Sequence, residues 1–138
     1  MKPASDELTP DGGERARERP DLEQLMTART GDHEDVIIVT VEGEIDGLTA
    51  PRLRTVLAEA FDRLDGRVLV VDLTRVGFLG SAGLRTLGNS ATEAVRHRGF
   101  QPLRIVVDES RPVIRPIEIV GLDQMLALYH TVTDALTP

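Results

Sequence analysis

Hydrophobic and polar positions change their spacing repeatedly after about residue 20, and these changes predict alternating strands and helices. The segment "DVIIVTVEGEI" (35–45) is rich in β-branched residues and predicts a strand that closes at Gly43. The segment "LEQLMTA" (22–28) is a weaker strand candidate. Two short and almost wholly apolar runs, 67–73 and 102–107, are typical of strands buried on both faces.

A first helix is predicted between the strands at 35–45 and 67–73. We expect Thr49 to be its N-cap, Pro51 to lie in its first turn, and Asp65-Gly66 to end it. Its apolar residues recur at helical spacing. They are Leu53, Val56, Leu57, Ala60 and Leu64.

A second helix is predicted after the connection "TRVGFLGSAGL" (74–84). Its apolar residues repeat at helical spacing from Leu84 until Gly99. Ser81 stands between two glycines at its start and is predicted to be its N-cap.

A third helix is predicted to begin at Arg111-Pro112, with Ser110 as its cap and Gly121 as its stop. Pro116 falls inside this helix and is expected to kink or loosen it. The segment 125–131 predicts a last short strand, and the "VTDAL" that follows predicts a final helical turn.

The order of these elements predicts an α/β fold with right-handed βαβ units and a largely parallel sheet. The first two strands leave no room for a helix between them, so they are expected to pair as a hairpin. Residues 1–20 mix Pro, Gly and charges with few apolar residues, which predicts a disordered tail. The remaining residues, 21–138, are expected to form one domain.

Composition narrows the classes of function. The chain has 138 residues and no Cys, which excludes disulfides and thiolate metal sites. A net charge of −7 argues against a nucleic-acid partner. The N-terminal residues do not form a signal peptide, and no apolar run is long enough to span a membrane. We therefore expect a cytoplasmic protein with neither a nucleic-acid nor a membrane partner.

Enzymatic chemistry at Ser81 finds little support in the sequence. A nucleophile elbow has the pattern G-x-S-x-G, and Leu79 stands where its first Gly belongs. Gly83 is followed by Leu84, so the Lys of a phosphate-binding P-loop is absent. The dinucleotide pattern G-x-G-x-x-G is absent as well. Three scattered histidines (His33, His97 and His130) provide neither a recognisable triad nor a metal site, and no cofactor is expected.

Two connections that follow strands carry the remaining candidates. Asp46 lies in the connection 42–51 and Ser81 in the connection 74–84. If the two strands are neighbours in a parallel sheet, both connections lie at one edge. Asp46 is expected to form an Asx-turn or to assist entry into the helix. Ser81 suits a helix cap and also suits a phosphorylation switch, because a helix start tolerates a phosphate.

The residues at these two connections resemble those of the STAS domain family. The segments "VEGEIDGLTAPRL" (41–53) and "VLVVDLTRVGFLGSAGLRTL" (68–87) resemble the family's two motifs, in order and at the proper separation. The ending at 113–136 also fits, so the resemblance covers about 22–136. It is greatest to the stand-alone bacterial anti-sigma factor antagonists.

The resemblance implies a STAS-like, mixed and largely parallel sheet of four or five strands with helices mainly on one side. It also implies a partner, an anti-sigma factor with serine kinase activity, and a serine phosphatase that reverses its action. Ser81 matches the family's phosphoacceptor, and Asp46 matches the acidic residue of its Gly-Glu-Leu-Asp loop. The family's usual Asp-Ser-Ser-Gly or Asp-Ser-Thr-Gly appears here with Gly80 for the Asp and Ala82 for the second hydroxyl.

The expected partner surface surrounds Ser81. Its residues are Asp46, Arg75, Val76, Phe78, Gly80, Ala82, Gly83, Leu84, Arg85 and Asn89. Two other functions remain open. The domain could be a subunit of a transport system or signalling assembly without a phosphorylation switch, or Ser81 could be an enzyme nucleophile for which no base is visible.

Overall fold

The computed structural model describes residues 25–98, 103–108, 110, 113–119, 121–124 and 126–136. The predicted tail at 1–20 lies outside the described residues, as does the predicted start of the third helix at 111–112.

A five-stranded sheet in the order β1-β2-β3-β4-β5 forms the centre of the protein. The strands are β1 (Met26–Asp32), β2 (Val36–Ile45), β3 (Val68–Leu79), β4 (Leu103–Val106) and β5 (Leu126–Tyr129). β1 pairs antiparallel with β2, and every other neighbouring pair is parallel. The structure thus confirms both the predicted hairpin and the largely parallel sheet.

Helices cover the two faces of the sheet unequally. They are α1 (Ala50–Asp62), α2 (Ser81–Arg98), α3 (Ile114–Ile119) and α4 (Val132–Leu136), with a 3-10 turn at Leu122–Gln124. Buried residues of α1, α2 and α3 join the inward-facing strand residues in the main core. On the opposite face, Ala135 of α4 packs against Val36, Val70 and Val106. The expectation of helices mainly on one side is confirmed.

The first strand lies later in the chain than the segment 22–28 predicted for it. Met26 pairs with Gly43 and Asp32 pairs with Ile37, so the hairpin register places the strand at Met26–Asp32. The difference arises because β1 is an edge strand. Most of its residues are partly exposed, and the polar segment "TARTGD" gives no apolar alternation.

The second strand does not close at Gly43 but continues to Ile45. Gly43 has a φ of 105°, and the register between β2 and β3 shifts immediately after it. A Cβ built on Gly43 would lie 2.1 Å from the Leu25 carbonyl oxygen, so only glycine fits this bulge.

The third strand is longer than predicted, and this correction matters most for the site. The connection was expected to begin at residue 74, but β3 continues to Leu79. Asp72 Oδ1 accepts hydrogen bonds from Thr74 N (2.9 Å) and Thr74 Oγ1 (2.7 Å). These bonds lie where the β2–β3 register shifts, so a turn-forming pair produces a bulge inside the strand without ending it.

Within the described residues the third helix spans Ile114–Ile119, and its predicted start at 111–112 lies outside them. Ser110 is not adjacent to the helix start at Ile114, and Ser110 N and Ser110 Oγ both donate to Asp108 Oδ1 (2.9 and 2.8 Å). The helix starts at Ile114, which places Pro116 in the first turn, where a missing amide donor costs little. Gly121, with φ 80°, follows the helix end as predicted.

Candidate functional site

The connections after β2 and β3 meet at one edge of the sheet. β2 and β3 are parallel neighbours, and Gly80 N donates a hydrogen bond to Ile45 O at 2.9 Å. Asp46 and Ser81 are the residues that follow these two backbone partners. The inference that both connections share an edge is therefore confirmed, and we call residues 44–49 and 78–85 the rim.

A network of hydrogen bonds holds the part of the rim that precedes α1. Asp46 Oδ1 accepts from Leu48 N (2.9 Å) and Thr49 N (3.1 Å), which is the predicted Asx-turn. Thr49 is buried, and its hydroxyl accepts from Asp46 N (2.9 Å) and donates to Glu44 O (2.8 Å). Thr49 occupies the predicted N-cap position, but its side chain does not cap the helix because these bonds use it.

This tightly bonded turn presents Leu48 to solvent. The Leu48 side chain is 67% exposed, the largest exposed fraction among the big apolar side chains of the described residues. Sequence reasoning missed Leu48, because an apolar residue in a loop belongs to no periodic pattern. One indication of it is present in the sequence: Leu48 is a large apolar residue between Gly47 and Thr49, in a segment with turn-forming residues.

Phe78 is a second exposed apolar residue on the rim, at the end of β3. Its side chain is 49% exposed. A Cβ built on Gly80 would lie 3.1 Å from Phe78 Cε2, so the aromatic ring lies against the glycine. The family's usual Asp at this position would require the ring to shift by a few tenths of an ångström.

The start of α2 differs from the prediction. Leu84 N donates to Gly80 O at 3.0 Å, which makes Gly80 the N-cap and Ser81 the first helical residue. The expectation that Ser81 is the N-cap is therefore wrong. Its side chain is exposed, and its hydroxyl makes no hydrogen bond with the described residues. The first turn also contains no acidic residue.

Two residues of the expected partner surface are buried. Val76 has no exposed surface, and Gly83 is buried in the first turn of α2. A Cβ built on Gly83 would lie 2.5 Å from Leu79 Cδ1 and 2.6 Å from Ile45 Cγ2. Both residues are therefore corrected from partner contacts to supports of the rim.

The other predicted residues reach the surface. Arg75, Arg85 and Asn89 are exposed, whereas Ala82 and Leu84 are partly buried. Ser81, Arg85 and Asn89 recur every four residues, so they lie along one strip of α2. Arg75 NH1 lies 4.0 Å from Glu42 Oε2, a loose ion pair on an exposed surface.

The three histidines lie far from Ser81. His33 is in the turn between β1 and β2, at the opposite end of β2 from the rim. His97 is sixteen residues farther along α2, about 24 Å along the helix axis. His130 follows β5, which ends level with Val106 and Asp72, roughly 20 Å of strand before the rim.

The described residues offer neither a cluster of metal ligands nor a membrane-spanning helix. Within these ranges, no group of three or more His, Asp or Glu side chains is placed to hold a metal ion. None of the helices described is long and apolar enough to cross a membrane.

Comparison with known proteins agrees with the STAS-like fold described above. The STAS domain pattern matches residues 27–135. The chain is 35% identical over 112 residues to a Mycobacterium tuberculosis protein named anti-sigma-F factor antagonist RsfB, covering 81% of this chain and 88% of that protein. It is also 35% identical to the crystal structure of an anti-sigma factor antagonist from Mycobacterium paratuberculosis, with a TM-score of 0.71 and coverage of 80% and 91%.

A more distant likeness concerns the fold alone. The structure of the Bacillus cell fate determinant SpoIIAA in the phosphorylated form is 15% identical, with a TM-score of 0.53 and coverage of 78% of this chain and 96% of that one.

Proposed function

The chain belongs to the STAS domain family, and from this premise we propose that it is an anti-sigma factor antagonist controlled by phosphorylation of Ser81. In its unmodified form it binds an anti-sigma factor with serine kinase activity in the cytoplasm, and the sigma factor is released. It acts as a binding protein and as a substrate of that kinase. The names of the mycobacterial relatives support the assignment of class.

The observation that best supports control by phosphorylation is that the Ser81 hydroxyl is exposed and is not used in a hydrogen bond with the described residues. The hydroxyl lies at the first position of α2. A hydroxyl engaged in capping would have to leave its amide partner before it could react. This hydroxyl is accessible to a kinase without any rearrangement of the helix start.

The surrounding rim supports a binding surface. Leu48 and Phe78 are large apolar side chains left exposed at its two connections. Exposed apolar residues beside polar ones are typical of protein interaction sites, where aromatic anchors provide much of the affinity. Asp46 contributes by holding Leu48 in place through its backbone bond. Arg75, Arg85 and Asn89 supply the polar surroundings.

Phosphorylation changes the charge at the centre of this surface. Ser81 Oγ bonds to the γ-phosphorus of ATP while the bond to the bridging oxygen breaks, ADP leaves, and the hydroxyl proton passes to a base of the kinase. The product carries about −1.5 to −2 charges between the apolar residues. A phosphate opposite an apolar or acidic partner surface opposes binding by desolvation and repulsion. Hydrolysis by a serine phosphatase restores the binding form.

The test is incubation with purified candidate anti-sigma kinases and ATP, followed by mass spectrometry and a binding assay. We expect one phosphate on Ser81 and loss of binding upon modification. Ser81→Ala should prevent labelling and keep kinase binding, and Ser81→Asp should weaken binding. Ser110→Ala is a matched control, because it removes another exposed serine hydroxyl that is bonded to Asp108.

Labelling at another residue, or tight binding by the Ser81→Asp variant, would contradict the switch.

The second candidate function is a STAS subunit of a transport system or signalling assembly. The observation that favours it is Gly80, which replaces the family's usual Asp. In that case Ser81 would remain unmodified, and a transporter ATPase would be captured in place of an anti-sigma kinase.

A further inference from the structure

Arg85 lies one helical turn beyond Ser81 on the same strip of α2. Both residues are exposed, and their separation of four residues makes them neighbours on the helix surface. Arg85 was predicted as a contact of the partner. Its position next to Ser81 also allows it to interact with that serine once the serine is modified.

The direction of the side chains favours an interaction between them. Helical side chains lean toward the N-terminus, which is the direction of Ser81 as seen from Arg85. An anion placed four residues before a cation is the more favourable order of such a pair. The helix dipole acts in the same direction, because it stabilises negative charge at the first turn.

Arg85 also has no counter-charge within one turn on its own helix. The residues three and four positions away are Ser81, Ala82, Gly88 and Asn89, and none is charged. No ion pair of Arg85 occurs within the described residues. By comparison, Arg96 of α2 lies 3.6 Å from Glu93, and Arg75 lies 4.0 Å from Glu42. Arg85 is therefore a cation available to an anion that unmodified Ser81 does not provide.

We infer that Arg85 is the intramolecular partner of a phosphoryl group on Ser81. The inference rests on the proposed function, which makes Ser81 the phosphoacceptor. It adds a second effect to the switch: the phosphate brings negative charge to the rim and at the same time withdraws Arg85 from the partner. Binding is then lost through one modification that changes two residues of the surface.

The experiment uses the full chain with phosphoserine incorporated at position 81 during translation, so that no kinase is needed. The second pKa of the phosphoserine is measured by phosphorus NMR at low salt. Acidic groups near the phosphate raise this pKa and cations lower it; the charged residues of the rim and of the elements beside it are Glu44, Asp46, Arg54, Arg75 and Arg85. Arg85→Gln should raise it by a few tenths of a pH unit, and Arg85→Lys should retain most of the wild-type value.

Arg96→Gln is the matched control. It removes the same charge from the same helix, about 22 Å along the axis from Ser81, and should leave the pKa unchanged. The inference would be overturned if the phosphoserine of the Arg85→Gln chain had the same second pKa as that of the wild type. It would also be overturned if Arg96→Gln shifted this pKa by an equal amount.

A binding measurement separates this inference from the proposed function. With Arg85 engaged by the phosphate, phosphorylation should reduce partner affinity by a smaller factor in the Arg85→Gln chain than in the wild type. Equal factors would overturn the withdrawal of Arg85, although the switch at Ser81 would stand. Absence of any kinase-dependent label on Ser81 would defeat the proposed function, while the phosphorus titration would still report whether the ion pair forms.

Discussion

Substitution of Gly83 by Ala tests the close contact between α2 and the two central strands. Gly83 lies in the first turn of α2, directly over Ile45 of β2 and Leu79 of β3. The added methyl group would stand 2.5 Å from Leu79 Cδ1 and 2.6 Å from Ile45 Cγ2. Both side chains belong to the main core, where Ile45 is 0% exposed and Leu79 is 4% exposed, so neither can move aside into solvent.

The magnitude follows from two opposing effects. Overpacking of a filled core costs about 1–3 kcal/mol. Replacement of glycine by alanine within a helix recovers up to about 1 kcal/mol of helix propensity, and less in the first turn. The net loss should be about 1–2 kcal/mol in the free energy of unfolding, or roughly 4–8 °C in melting temperature.

The assay is urea denaturation followed by circular dichroism, with Gly88→Ala as the matched control. Gly88 lies on the same helix, but the nearest atom to its built Cβ is Leu122 Cδ2 at 3.5 Å, an ordinary contact. Gly88→Ala should therefore stabilise the protein by about 0.5–1 kcal/mol. The two identical chemical changes are expected to have opposite signs.

Partner binding provides a second measurement for Gly83→Ala. A displaced helix start moves Ser81, so affinity for the anti-sigma factor should fall as well. The reasoning would be refuted by a Gly83→Ala protein as stable as the Gly88→Ala protein, because the contact with Ile45 and Leu79 would then impose no constraint.

The exposed rim, the start of α2 and the ion pair of Asp32 can each be tested by substitution. Changing Leu48 and Phe78 together to Ser should weaken anti-sigma factor binding by roughly tenfold or more in calorimetry, with an intact fold, because both side chains are exposed. Gly80→Asp should stabilise the protein toward urea by about 0.5 kcal/mol, since the carboxylate can accept first-turn amides while the Phe78 ring shifts. The hydrogen bond from Arg63 lowers the pKa of Asp32 below its usual 3.8. The ion pair therefore stabilises the fold fully above pH 3.8, and this stabilisation is lost as the pH falls through the lowered pKa. From about pH 5 to about pH 3, the wild type should therefore lose more stability than Asp32→Asn in a urea series; equal losses would contradict this.

The position of the site was predictable because it depends on topology. Strands at 35–45 and 67–73, each followed by a helix, implied a parallel sheet in which both connections share an edge if the two strands are neighbours. The bond from Gly80 N to Ile45 O shows that this edge brings the two connections together. Hydrophobic periodicity was sufficient for this step, since it identifies which segments are strands and in what order they occur.

The detailed roles of residues on the rim could not be predicted, because they depend on contacts between distant segments. Asp72 and Thr74 favour a turn locally, yet pairing with β2 keeps them within a bulged strand. Ser81 resembles a cap until the backbone places Gly80 in that position. The need for glycine at residue 83 arises from Ile45, which is separated from it by thirty-eight residues.

The four residues Gly80-Ser81-Ala82-Gly83 therefore have separate tasks, and their combination bears on the switch. Gly83 brings the helix onto the strands, and Gly80 begins it without an acidic side chain, so the first turn has no negative charge. Among the described residues the free amides of that turn have no side-chain acceptor, and a phosphate on Ser81 would supply one. In a chain with Asp at position 80, the carboxylate would already accept hydrogen bonds from some of these amides. The gain in helix-start stability upon phosphorylation should consequently be larger here, and the unmodified protein is the form with the less stabilised α2 start.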